Sequence, residues 1–123
     1  MADQYFTNAR LIDPEAGTDS IGWLRVSDGM IADVGVGNAP TAGLDCGGKC
    51  LAPGIVDIGV KVSEPGERHK ESFRSAGRAA AAGGVTTMVT RPDTDPAIDT
   101  PEVLEFVAKR ALADSAVRVL PMS

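Results

Sequence analysis

"PGIVDIGVKVSEPG", residues Pro53 to Gly66, decides how the rest of the chain is read. From Ile55 to Val62 every position other than Asp57, Gly59 and Lys61 is β-branched. Branched side chains favour extended backbone. An almost unbroken run of them predicts a strand covered on both faces, as strands of parallel sheets are. Pro65-Gly66 then ends the run in a turn. Successive strand residues point to opposite faces, so Asp57, Gly59, Lys61 and Ser63 share one side. An acid, a bare backbone position, a cation and a small hydroxyl make an unusual row, and the row holds the key to function.

C-terminal to this strand the pattern shifts to helical spacing. Lys70 to Ala82 places Phe73, Ala76, Gly77, Ala80 and Ala81 on one stripe. Gly83-Gly84 stops that helix. Val85 to Thr90 is a second buried strand, and "RPDTDPAID" is a loop. Thr100 caps the next helix, with Pro101 at its first position. Val103, Leu104, Val107, Ala111 and Leu112 form that helix's buried face, and Glu105 pairs with Lys109 on the other. Val117 to Leu120 begins a third strand. The order β-α-β-α-β implies parallel strands with helical crossovers. Three such strands leave an apolar edge unpaired, so other polypeptide is expected to cover it.

N-terminal to the strand the pattern is that of hairpins. "QYFTNARLID" and "SIGWLRVSDGMIADVG" alternate, and Asp28-Gly29 between apolar runs is a strong turn signal. Trp23, Leu24, Val26, Ile31 and Val34 are the expected core of a small sandwich. The boundary falls near Leu51, giving segments 1–52 and 53–123.

Composition narrows the function classes. The 123 residues carry a formal charge of -5, which disfavours nucleic acid, whose phosphates call for clustered Lys and Arg. No apolar run approaches the roughly 20 residues needed to span a bilayer. The N-terminus shows no secretory pattern, so a cytoplasmic location is expected. Cys46 and Cys50 form a C-x3-C pair with no second pair nearby, poor spacing for zinc, and read as free thiols.

Six stretches together carry a resemblance: "ARLIDPEAG", "DGMIADVG", "LAPGIVDIGV", "EPGERHKESF", "GRAAAAGGVTTMV" and "PDTDPAIDTPE". Over essentially its whole length the chain resembles the dihydroorotase group of the amidohydrolase superfamily. The resemblance implies an α/β fold: the N-terminal part of a (β/α)8 barrel over 53–123, plus a small β-sandwich built from 1–52. A complete barrel takes about 200 residues or more, so the barrel is incomplete in this chain. The family opens and closes cyclic amides, with zinc activating a water. Its first barrel strand reads Asp-x-His-x-His-x-Arg, and an asparagine after the second strand contacts substrate.

Laid on this sequence, the Asp corresponds to Asp57, the two metal-binding histidines to Gly59 and Lys61, the arginine to Ser63 and the asparagine to Asp93. Glycine offers no ligand, and an ammonium has no lone pair. Ser63 lacks the planar fork that grips a carboxylate, and Asp93 repels one. His69 lies in a turn beyond the strand. No catalytic residue, metal site or cofactor is therefore expected at these positions. Lys61 either stands in the emptied metal pocket or reaches solvent at the barrel mouth. Asp93, Asp95 and Asp99 read as turn and capping residues.

The resemblance is closest to non-catalytic dihydroorotase-like homologues. It implies a protein of pyrimidine biosynthesis that acts as structural partner of aspartate carbamoyltransferase rather than as an enzyme. The alternative is a metal-dependent cyclic amidohydrolase of dihydroorotase, hydantoinase or allantoinase type with an altered site. A homo-oligomer, or packing against the remaining barrel, is expected; nucleic acid and membrane are not.

Overall fold

A computed structural model describes residues 3–123, which divide into two compact units, one ending at Pro53 and the other Gly54–Ser123. The first unit holds five strands: β1 (Gln4–Asp13), β2 (Thr18–Ser27), β3 (Met30–Val36), β4 (Leu44–Asp45) and β5 (Cys50–Leu51). β1 and β2 pair antiparallel, as do β2 and β3, while β4 and β5 run parallel to β1. The β2–β3 turn is Asp28-Gly29, both at positive φ, as a tight hairpin requires.

The expected sandwich core differs from the observed arrangement. Among the described residues these strands form one sheet, and alternation splits the predicted set between its two faces. Leu24, Val26, Ile31 and Val34, with Phe6 and Leu51, line an open apolar cleft of about 520 Å3. Trp23 lies on the opposite face, its ring centroid 5.9 Å from that of Tyr5.

The second unit is β6 (Ile55–Val60), α1 (Phe73–Ala82), β7 (Val85–Thr90), α2 (Pro101–Asp114) and β8 (Arg118–Pro121). Its strands are parallel in the order β6-β7-β8. Both ends of α1 and the start of α2 follow from local chemistry. The Ser72 hydroxyl accepts from the Ser75 N–H at 3.2 Å, and the Ser75 hydroxyl accepts from the Ser72 N–H at 2.9 Å. This reciprocal box starts α1 at Phe73, three residues later than periodicity predicts. Gly83 closes it, its N–H reaching the Ala79 and Ala80 carbonyls. Thr100 caps α2 through the Val103 N–H at 3.4 Å, with Pro101 at the first position.

The core lies between helices and sheet: Val62, Phe73, Ala76, Met88, Ile98, Val107 and Ala111. Each large apolar side chain there contributes about 1.5–3 kcal/mol by leaving water. Gly77 lets α1 approach the segment after α2, since a Cβ would collide with the Ser115 hydroxyl and the Ala116 N–H. Ala81 and Leu112, predicted on the buried stripes, are exposed. β6 pairs only with β7 among the described residues, and Ile55, Val56 and Ile58 are exposed, Ile58 by 74%.

Candidate functional site

The predicted site residues gather at the C-terminal ends of β6 and β7 and in the loops that follow. β6 stops at Val60, two residues short of the predicted end, so Asp57 and Gly59 lie in the strand while Lys61 and Ser63 lie just beyond it. Asp57 sits opposite Met88 and is exposed. Gly59 has φ +91, and it is an extra residue: Ile58 pairs with Val89 and Val60 with Thr90, leaving Gly59 without a counterpart. That is a β-bulge.

Lys61 turns to Asp93, its Nζ 3.2 Å from Oδ2. Arg91 donates to the same oxygen from Nη2 at 2.9 Å. The hydrogen bond from Lys61, aided by the charge of Arg91, holds the Asp93 carboxyl below the usual aspartate range despite some desolvation. Lys61 remains 54% exposed. It therefore reaches solvent while bonded to an acid from the neighbouring strand's loop; Asp57 is not its partner. Ser63 is half-buried, and its carbonyl accepts from the Glu67 N–H at 2.8 Å. Lys61, Ser63, Glu67, Asp93, Thr94 and Asp95 border a cleft of about 110 Å3. Glu67 is itself engaged by Lys70, whose hydrogen bond lowers its pKa. His69 lies exposed in the turn.

The loops after β6 and β7 are also joined through backbone. The Arg91 N–H donates to the Val60 carbonyl at 2.9 Å, and the Asp95 N–H to the Pro65 carbonyl at 3.4 Å. Gly66, at φ +102, lies so close to the Asp95 carbonyl that a Cβ would collide with it. Thr94 closes its own turn through the Pro96 carbonyl at 2.8 Å.

The residue that sequence reasoning missed is Glu64, 4% exposed. One carboxylate oxygen accepts from Arg110 Nε and Nη2, each at 3.1 Å, and Arg68 stands 3.5 Å from it. The other oxygen accepts from the Phe73 N–H at 3.0 Å, the first turn of α1. Arg110 continues to Asp114 at 2.9 Å, and Asp114 to Arg74 at 3.3 Å. Glu64 thus ties the end of β6 to both helices. Its signal was present: Val60, Val62 and Glu64 continue one alternation, and Val62 faces the core.

A small N-terminal sheet followed in sequence by a parallel β-α-β-α-β unit is the architecture of an amidohydrolase-type (β/α)8 barrel protein. L-hydantoinase (dihydropyrimidinase) from Arthrobacter aurescens matches it with a TM-score of 0.84 and 26% identity, over 98% of this chain and 27% of that one. A D-hydantoinase shares the fold, with a TM-score of 0.75 and 23% identity. The family profile described as dihydro-orotase-like matches residues 48–123. The dihydroorotase of Wolbachia sp. subsp. Drosophila simulans (strain wRi) is 44% identical over 118 residues, spanning 93% of this chain and 27% of that protein. A "dihydroorotase-like protein" of Pseudomonas putida is 39% identical over 117 residues, spanning 93% and 28%. The chain belongs to the dihydroorotase-like family, and spans about a quarter of the length of these relatives.

The resemblance implies zinc in active family members, and the residues of this strand end do not fit it. Gly59 has no donor atom, and the Lys61 ammonium is committed to Asp93. Among the described residues no three His, Cys, Asp or Glu side chains converge to hold an ion. Cys46 and Cys50 are free thiols in the other unit.

Proposed function

We propose that this is a dihydroorotase-like protein of pyrimidine biosynthesis that performs no hydrolysis and serves in the cytoplasm as structural partner of aspartate carbamoyltransferase. The observation that carries the reading is the Lys61–Asp93 ion pair at 3.2 Å. By the resemblance, those positions belong to a metal-binding histidine and a substrate-binding asparagine. A cation and an acid that satisfy each other leave neither free to polarise water or to receive an anionic ring. By the same resemblance, Gly59 and Ser63 stand where the other imidazole and the guanidinium would be. The partner follows by family analogy.

Two measurements test it. The complete polypeptide is expected to show no turnover of dihydroorotate with or without added zinc, and to raise the activity of aspartate carbamoyltransferase on mixing. Zinc-dependent turnover overturns the first half. Failure to associate at micromolar concentrations overturns the second. The likeness to L-hydantoinase favours one other reading, a hydrolase with an altered site, for which hydantoin and allantoin are the substrates to assay.

A further inference from the structure

We infer that the metal-binding end of β6 is lost in the backbone as well as in its side chains, and that an ion-paired clasp between the β6 and β7 loops stands in its place. The inference rests on the reading of Gly59 and Lys61 as former imidazole positions. Gly59 is the bulged residue, at φ +91. L side chains rarely adopt that conformation, because Cβ meets the flanking backbone. The space around it is open, with nothing within 4 Å of a Cβ placed there. Neighbours therefore do not oppose a histidine at 59; the strained backbone angle does. A bulge also interrupts the strand's alternation. Positions 59 and 61 are no longer the regular i, i+2 pair from which two imidazoles converge on one ion.

The clasp consolidates this state. Asp93 takes Lys61 and Arg91 on one oxygen, at 3.2 and 2.9 Å. On either side the Arg91 N–H reaches the Val60 carbonyl and the Asp95 N–H reaches the Pro65 carbonyl. Gly66 fits against the Asp95 carbonyl without a side chain. Exchanging Lys61 for histidine removes one cation but leaves Asp93 bound to Arg91. Side-chain exchange alone does not rebuild a two-histidine site on this strand.

Four variants of the full chain test the inference: Gly59→Ala, Gly59→Asn, Lys61→His and the double variant Gly59→His/Lys61→His. Thermal melting and zinc binding by equilibrium dialysis are the readouts. Gly59→Ala is expected to melt well below the parent although no neighbour is near. Gly59→Asn, which tolerates positive φ better, is expected to melt between the two. The double variant is expected to bind zinc within about threefold of Lys61→His alone. Gly59→Ala melting with the parent, or zinc binding tightened about 100-fold or more in the double variant, overturns the inference. Neither readout depends on turnover, so this test can fail while the absence of hydrolysis stands, and the reverse.

Discussion

Replacing Glu64 with alanine removes the acceptor on which three elements converge. The carboxylate takes two hydrogen bonds from Arg110 at 3.1 Å and one from the Phe73 N–H at 3.0 Å. Breaking a buried ion pair by removing one partner costs about 3–5 kcal/mol. Two features reduce that here. Arg110 is 31% exposed and keeps Asp114 at 2.9 Å, so its charge is not stranded. The loss of the α1 contact restores part of the penalty, about 1 kcal/mol by analogy with a lost cap. The expected destabilisation is about 2–3 kcal/mol, or a fall in melting temperature of roughly 8–15 °C for a chain of this size. Glu64→Gln can keep a carbonyl for the Phe73 N–H, but its NH2 then faces the Arg110 donors, so the charge and both Arg110 hydrogen bonds are lost and most of that effect is expected. Urea unfolding followed by circular dichroism measures both. The double variant Glu64→Ala/Arg110→Ala closes the cycle, with coupling of about 1 kcal/mol or more expected between the two positions. Glu64→Ala within about 0.5 kcal/mol of the parent refutes the reasoning, since that is the range of an ordinary surface substitution.

Lys61 and Asp93 should be coupled in a double-mutant cycle at neutral pH. Asp93 has its pKa lowered on folding, so the coupling is present above the unfolded value of 3.8 and fades as pH falls through the lower folded value; cycles measured at pH 7 and in strong acid check this. Gly66→Ala should cost about 2 kcal/mol or more in chemical denaturation, because it combines φ +102 with a collision at the Asp95 carbonyl. Thr90 is 2% exposed and its hydroxyl has no hydrogen-bond partner among the described residues. Thr90→Val should therefore be neutral or raise stability by up to about 1 kcal/mol, read from the urea midpoint.

The parts of the fold legible in the sequence are those governed by near neighbours. Thr100 followed by Pro101 marks the start of α2, and Gly83 the end of α1, because caps act within a turn. Val85–Thr90 matches its predicted strand because its apolar run is bounded on both sides. The illegible parts depend on residues far apart along the chain. Glu64 reads as one acid in a turn, and Arg110 stands 46 residues away. Lys61 and Asp93 are separated by 32 residues, so their pairing has no signature within the strand itself. The bulge at Gly59 depends on the register with β7, which no single strand's alternation reveals. The departures from the dihydroorotase pattern at Gly59, Lys61, Ser63 and Asp93 were legible by contrast, because they are substitutions within a recognisable frame.

The apolar cleft beside β1, β2 and β3 has a practical consequence at the bench. With Phe6, Leu24 and Val26 lining a trough of about 520 Å3, the folded chain presents a docking place for 8-anilinonaphthalene-1-sulfonate. That dye ordinarily reports loosened packing by brightening on exposed apolar surface. A bright signal is therefore expected from the folded chain as well, and fluorescence enhancement should not be read by itself as a sign of partial unfolding.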